Sequence, residues 1–261
     1  MGVTLGRLGL TDRILSPVGW VGWWLYQPYK LFILIPIMFL MTIFFGFLPV
    51  LLLTFLDSRR VSFICGALWA RFNAYLTPML VTVSGRENID PEQSYVIISN
   101  HFSFFDVFVL YGWLGVDFKW VIKKEMRRIP GLGIGCEKLG HIFIDRSDRK
   151  AALASINAAK PRFIHGTSVI FFPEGTRSRT GRMGPFKKGA FRVALDLGLP
   201  ILPITLIGTP EILPPTGTDL LPGRAEVIIH PPVLTEDVNE ADLLKLMNQC
   251  RGIIAGPLKA E

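Results

Sequence analysis

Tyr95-Val96-Ile97-Ile98-Ser99-Asn100-His101-Phe102-Ser103-Phe104-Phe105-Asp106 is the stretch on which the fold turns. Its first half is a short apolar run bounded by polar residues and reads as a strand. His101 and Asp106 follow, five residues apart. A uniform helix over that interval would turn through about 500° and leave the two side chains about 140° apart. The spacing therefore predicts a turn that becomes helical only near Phe104. An imidazole beside a carboxylate can take a proton near neutral pH while being held in one tautomer, so the pair reads as a general base and its orienter. The plainer alternative is that His101 closes a strand end and Asp106 sits in a first helical turn, where carboxylates are favoured anyway.

Working outward, similar apolar runs recur at Met79–Val83, Phe118–Ile122, His141–Ile144, Ser168–Phe172, Ile201–Ile207 and Ala225–Ile229. Helical patterns lie among them at Phe104–Gly115, Arg149–Ile164, Gly189–Leu197 and Glu236–Ile254. Strands alternating with helices predict an α/β domain with a mixed, largely parallel sheet flanked by helices. Composition changes around Leu80–Gly85, which divides the chain into an N-terminal membrane-anchoring helical segment, residues 1–80, and the α/β domain, residues 81–261, which would carry any catalysis. Pro and Gly cluster at Pro210–Pro222, marking a surface loop or a flap beside a site.

The first segment is membrane-like. Half of all residues are hydrophobic and the mean hydropathy is +0.40. From Leu31 to Leu56 no side chain is charged, and a helix of that length, at ~1.5 Å per residue, crosses a ~30 Å hydrocarbon layer. Pro36 and Pro49 interrupt the run, so a bent or re-entrant hairpin competes with a single span. Trp20, Trp23, Trp24, Tyr26, Tyr29 and Lys30 before it read as an interfacial belt. Asp57-Ser58-Arg59-Arg60 closes it with two positive charges, which put that end on the cytoplasmic side of the membrane if the segment spans. Val61–Leu80 reads as a second helix lying on the membrane or against the domain.

The formal net charge of +7 suits an anionic surface or a phosphate-bearing substrate. Nucleic acid would share that sign, but no helix-turn-helix, finger or ribonucleoprotein pattern is present. Cys65, Cys136 and Cys250 are too scattered for a disulfide framework or a metal site. No metal or cofactor is expected.

Two further stretches carry chemistry. Phe171-Phe172-Pro173-Glu174-Gly175-Thr176-Arg177-Ser178 follows a strand and precedes Arg179, Arg182, Lys187 and Lys188. A loop with Gly, hydroxyls and a fork-shaped guanidinium suits a phosphate, although a solvated basic turn has the same composition. Arg146 ends Gly140-His141-Ile142-Phe143-Ile144-Asp145-Arg146, where strand ends meet ligands in α/β sheets, or alternatively pairs with Asp145 or Asp148.

NHFSFFD, GHIFIDR, FPEGTRS and LPILPI occur in that order. Together they resemble the four sequence blocks of the glycerolipid acyltransferase family and are most similar to those of the bacterial 1-acylglycerol-3-phosphate acyltransferases, over about Ser84–Gly208. The resemblance implies acyl transfer from an acyl-CoA or acyl carrier protein thioester to lysophosphatidic acid. It implies His101 as base and Asp106 as orienter, with Asn100 and Ser103 supporting the motif. Glu174, Gly175, Thr176 and Arg177 would belong to the acceptor-phosphate site, with Arg146 and Lys123 or Lys124 nearby. A bacterial inner (plasma) membrane, with the catalytic domain on its cytoplasmic face, would be the location. Related enzymes acting on glycerol 3-phosphate or other lysolipids share this pattern, and a non-catalytic lipid-binding protein or a thioester hydrolase would be the alternatives from other classes. No G-x-S-x-G elbow is present, and Ser103 lies only two residues from His101, which disfavours a covalent serine route.

Overall fold

The computed structural model describes residues 17–259, apart from 146, 164, 218 and 237. They fall into two compact units, one ending at Leu40 and the other beginning at Met41. The first holds α1 (Pro17–Tyr29), a π-helical turn (Lys30–Leu34) and the first residues of α2 (Ile35–Leu52). Prolines leave this stretch helical. One π turn directly precedes Pro36, and the Ile35 N–H reaches back five residues to the Lys30 carbonyl, a local underwinding that lets a helix pass a residue with no N–H. Gly22–Leu52 is long and apolar enough to cross a membrane, and only 11% of its most apolar window is buried. Of the expected aromatic belt, the Trp20 side chain lies outside the described residues.

In the second unit, α3 (Ser58–Leu76) starts where the Asp57 carboxylate accepts the Arg60 N–H, an ordinary N-cap. A seven-stranded sheet follows: β1 (Met79–Ser84), β2 (Val96–Ser99), β3 (Phe118–Lys123), β4 (Ile142–Ile144), β5 (Ser168–Phe171), β6 (Ile201–Ile207) and β7 (Gly223–Ile229). Their spatial order is β1-β7-β6-β2-β5-β3-β4. Every neighbouring pair is parallel except β6 with β7. The intervening helices are α4 (Asp106–Trp113), α5 (Leu132–Lys138), α6 (Arg149–Ala159), α7 (Gly189–Leu197), α8 (Thr209–Ile212) and α9 (Leu243–Leu258).

β2 and β6 are buried at every residue, because helices cover both faces of the sheet, and that is why these strands are continuous apolar runs instead of alternating ones. Val96 and Ile98 join Ile156 of α6, Phe191 of α7 and Cys250 of α9 in one core cluster. Ile97 must point the other way, to the side where α3 packs on α4 and both rest against β1. Two expectations shift. The final helix starts at Leu243 instead of Glu236, since Asn239 first caps a 3-10 turn over Glu240–Asp242. Helices α5 and α8 are additions to the pattern read from sequence.

The fold's useful consequence is an edge. β2, β5 and β6 are parallel neighbours with β2 in the middle, so the residues after Ser99, Phe171 and Ile207 all emerge at their carboxyl ends, where open α/β sheets place ligands.

Candidate active site

After β2, residues 101–103 run as an irregular loop, 104–105 turn, and α4 begins at Asp106. The reversal brings His101 and Asp106 together: the imidazole Nδ1–H donates to Asp106 Oδ2 at 2.8 Å. The same oxygen accepts the backbone N–H groups of Phe102 at 2.8 Å and Ser103 at 2.9 Å. Asp106 Oδ1 accepts from the Thr209 hydroxyl at 2.5 Å. Asp106 is completely buried, and a buried carboxylate is tolerable only when its oxygens are supplied with donors in this way. An ionised Asp106 accepting at Nδ1 fixes the tautomer that leaves Nε2 able to take a proton. His101 remains partly accessible, with 17% of its side chain exposed.

The loop after β5 holds His101 from behind. Glu174 Oε1 accepts the His101 backbone N–H at 2.9 Å, and Oε2 accepts that of Gly184 at 2.7 Å. The Ser178 N–H donates to the His101 carbonyl at 2.9 Å. Both backbone groups of His101 are thus held by one loop. Burial pushes the Glu174 carboxyl up, opposed by the two backbone donors. With both oxygens already on amides, Glu174 fits a brace of this loop better than a group that touches an anion.

Asn100 continues the sheet past its last strand residue. Its side chain donates to the Leu206 carbonyl and accepts the Leu206 N–H, both at 2.8 Å, which locks the end of β2 to β6. Ser103 is buried, donates to the Leu213 carbonyl at 2.7 Å and accepts the Phe105 N–H at 3.1 Å. Such a hydroxyl is a structural fastening.

An open cleft beside the loop is lined by Thr176, Arg177, Arg179, Arg182 and Lys187 together with Glu174. Gly175 has φ +75°, and a Cβ there would stand 2.6 Å from Lys187 Nζ. Glycine is therefore favoured by the backbone, with the end of the Lys187 side chain lying across it. Lys123 and Lys124 reach the same edge at the end of β3, two strands from β2 or roughly 10 Å at ~4.8 Å per strand. Lys124 is ion-paired with Asp145, which holds the Asp145 carboxyl below the usual carboxylate range, and Lys123 stands 3.5 Å from Glu125. Arg146 lies outside the described residues.

A family model described as Acyltransferase matches residues 80–207, a stretch that holds the base, the carboxylate and the brace. The chain belongs to the acyltransferase family. Among relatives, it is 38% identical over 200 residues to a chloroplastic 1-acyl-sn-glycerol-3-phosphate acyltransferase of Brassica napus, covering 75% of this chain and 56% of the relative. It is 36% identical over 173 residues to the 1-acyl-sn-glycerol-3-phosphate acyltransferase of Pseudomonas aeruginosa, covering 64% of this chain and 66% of the relative. The chain spans about half the length of the plant relatives it matches. The crystal structure of the 1-acyl-sn-glycerophosphate acyltransferase of Thermotoga maritima superposes with a TM-score of 0.75 at 27% identity, over 92% of this chain and 98% of that one. Thr209, which donates to Asp106, is the site residue that sequence reasoning missed. The only signal was a hydroxyl just beyond the strand β6.

Proposed function

We propose that the protein is a membrane-bound acyltransferase that moves a fatty acyl group from an acyl-CoA or acyl carrier protein thioester to the 2-hydroxyl of 1-acylglycerol 3-phosphate, giving phosphatidic acid. The observation that carries this reading is the His101 imidazole, held at Nδ1 by a buried carboxylate with four donors and left with Nε2 available. Nε2 takes the proton of the lipid hydroxyl as its oxygen attacks the thioester carbonyl. Asp106 supports the imidazolium that forms. The tetrahedral intermediate collapses with loss of the thiolate, which recovers the proton from His101, and no acyl-enzyme is needed.

The acceptor phosphate is assigned to the cleft at Gly175, Thr176 and Arg177. There a guanidinium can bind two phosphate oxygens at once, and Lys187, drawn over Gly175, adds a second cation. Glu174 serves this site by shaping its loop. Lys123 and Lys124 are at most outlying members. Membrane attachment is supported by the apolar helix Gly22–Leu52 and by α3, which exposes Phe63, Ile64, Leu68, Phe72 and Tyr75 at helical spacing. Arg59 and Arg60 mark the cytoplasmic side of the inner membrane under the positive-inside rule.

The test is an acyl-transfer assay of the full chain with 1-acylglycerol 3-phosphate against glycerol 3-phosphate and lysolipids with larger head groups, using both thioester donors. Preference for 1-acylglycerol 3-phosphate is expected. A preference for another acceptor would move the assignment within the family, and thioester loss without any acceptor would replace it with a hydrolase.

A further inference from the structure

The His101 ring does not stand alone against its carboxylate. It lies flat on the Phe172 ring, with centroids 3.8 Å apart and planes inclined by 9°. Phe172 is in turn backed by Trp120, centroids 5.7 Å apart, and Trp120 packs against Tyr111 and Phe118. The sheet builds this column. In the β3–β5 register Trp120 stands beside Ile170, and Phe172 lies two residues further along and on the same face, so Trp120 is its diagonal neighbour. Phe171 pairs with Ile98 in the β2–β5 register, which sets Phe172 close beside the turn that carries His101. Trp120 is buried, which fixes the platform from below.

We infer that Phe172 is a positioning residue whose ring face favours the imidazolium created when His101 takes the substrate proton. The inference rests on the reading of His101 as the base. An aromatic face carries the negative lobe of its quadrupole, and a cation within about 6 Å of the ring centroid is attracted to it. Neutral imidazole gains far less from that field than imidazolium does, so the contact strengthens as the proton transfers. An interaction stronger in the transition state than in the ground state lowers the barrier. Asp106 acts on the same cation from the ring edge, at Nδ1, whereas Phe172 acts on its face. The two contributions are geometrically separate.

Fluorinated phenylalanines isolate the effect, since they keep the ring and its shape while draining or reversing the quadrupole. Phe172 is to be replaced by mono-, tri- and pentafluorophenylalanine and, separately, by Leu, in the full chain, with kcat, KM and melting temperature measured for each. The expected result is a graded fall in kcat along the fluorine series, reaching about 3- to 30-fold for the pentafluoro ring. KM for both substrates and the melting temperature should be nearly constant, and Phe172→Leu should lose at least as much. A flat kcat across the fluorinated series would overturn the inference, as would losses that follow melting temperature alone. His101→Ala, run alongside, separates the two readings. If that variant is inactive and the series is flat, only the role of Phe172 fails; if it stays active, the base itself was misassigned.

Discussion

Two histidines stand near the carboxyl edge and the middle of the same sheet, and they have been put to opposite uses. His101 gives one nitrogen to a buried carboxylate and keeps the other for a visitor. His141 spends both: its Nδ1 accepts the Trp120 backbone N–H at 3.2 Å, and Nε2 lies 2.5 Å from the Tyr111 hydroxyl. Since Nδ1 must accept, Nε2 carries the hydrogen and donates to Tyr111, so the ring is neutral. Burial, reinforced by the positive charge of Lys119, pushes the His141 imidazole well below its ordinary value. An imidazole becomes a base when it has a carboxylate behind it and an unspent nitrogen in front. Without either it is a polar rivet that ties β3 to the segment before β4.

The contrast can be broken first at His101. His101→Ala should reduce turnover by about 10² or more, the usual worth of a general base, with an unchanged melting temperature; near-normal turnover would abolish the distinction. Asp106→Asn should fall by a comparable factor, because the tautomer that frees Nε2 is no longer enforced, and steady-state kinetics on folded variant would check it. A smaller loss is expected for Thr209→Val. It removes one hydrogen bond to a charged group while keeping shape, so kcat should drop about tenfold with KM little changed and Thr209→Ser restoring most of it. A fall in stability without a fall in kcat would make Thr209 mere packing.

His141→Leu should show the reverse pattern. Leaving the Trp120 N–H and the Tyr111 hydroxyl without their partner costs about 1–3 kcal/mol, read as a lower denaturation midpoint, while kcat per folded enzyme changes less than twofold. The smallest effect concerns pH. The folded His141 binds its proton at lower pH than the unfolded chain does, so stability is fully present above the ordinary histidine value of 6.5 and drains away as pH falls through it. Burial shifts His230 in the same direction, whereas Glu174, raised above 4.5, acts in the opposite sense at more acid pH. Melting temperatures between pH 7.5 and pH 5.5 should therefore decline less steeply in His141→Leu than in the wild type. Equal slopes would exclude His141 as a contributor.

Much of this was readable in the residues. All seven strands were visible as short apolar runs, solid in the doubly covered β2 and β6 and alternating in β1 and β7, and the closeness of His101 to Asp106 was visible because both sit within one short stretch. What escaped depended on distant partners. α5 is made from Gly133 and Gly135 among its seven residues, poor helix formers that no propensity argument would choose. Gly135 is there because α2 presses on this segment, and Gly133 because the preceding 3-10 turn does: a Cβ on Gly46 would fall 2.2 Å from the Gly131 carbonyl carbon, one on Gly135 would fall 2.6 Å from the Gly46 carbonyl oxygen, and one on Gly133 would fall 2.0 Å from the Arg127 carbonyl oxygen. Close backbone approach overrides propensity. Thr209 was hidden for the same kind of reason, since the carboxylate it serves lies 103 residues away. Glu174 was visible as a loop residue, but only its two amide partners reveal that it holds the His101 backbone.

The antiparallel junction of β6 and β7 decides where the chain arrives. Because β7 runs back from that junction and β1 lies parallel to it, Met79 pairs with Gly223, close to where β6 ends. Helix α3 therefore hands the chain to the sheet on the side where His101 works. Had β7 run parallel to β6, the handover would sit a strand's length away, roughly 20 Å for six residues. Under the proposed function, the antiparallel junction would let a lipid acceptor keep its tail in the leaflet while its head group tilts towards His101, without first being extracted from the bilayer.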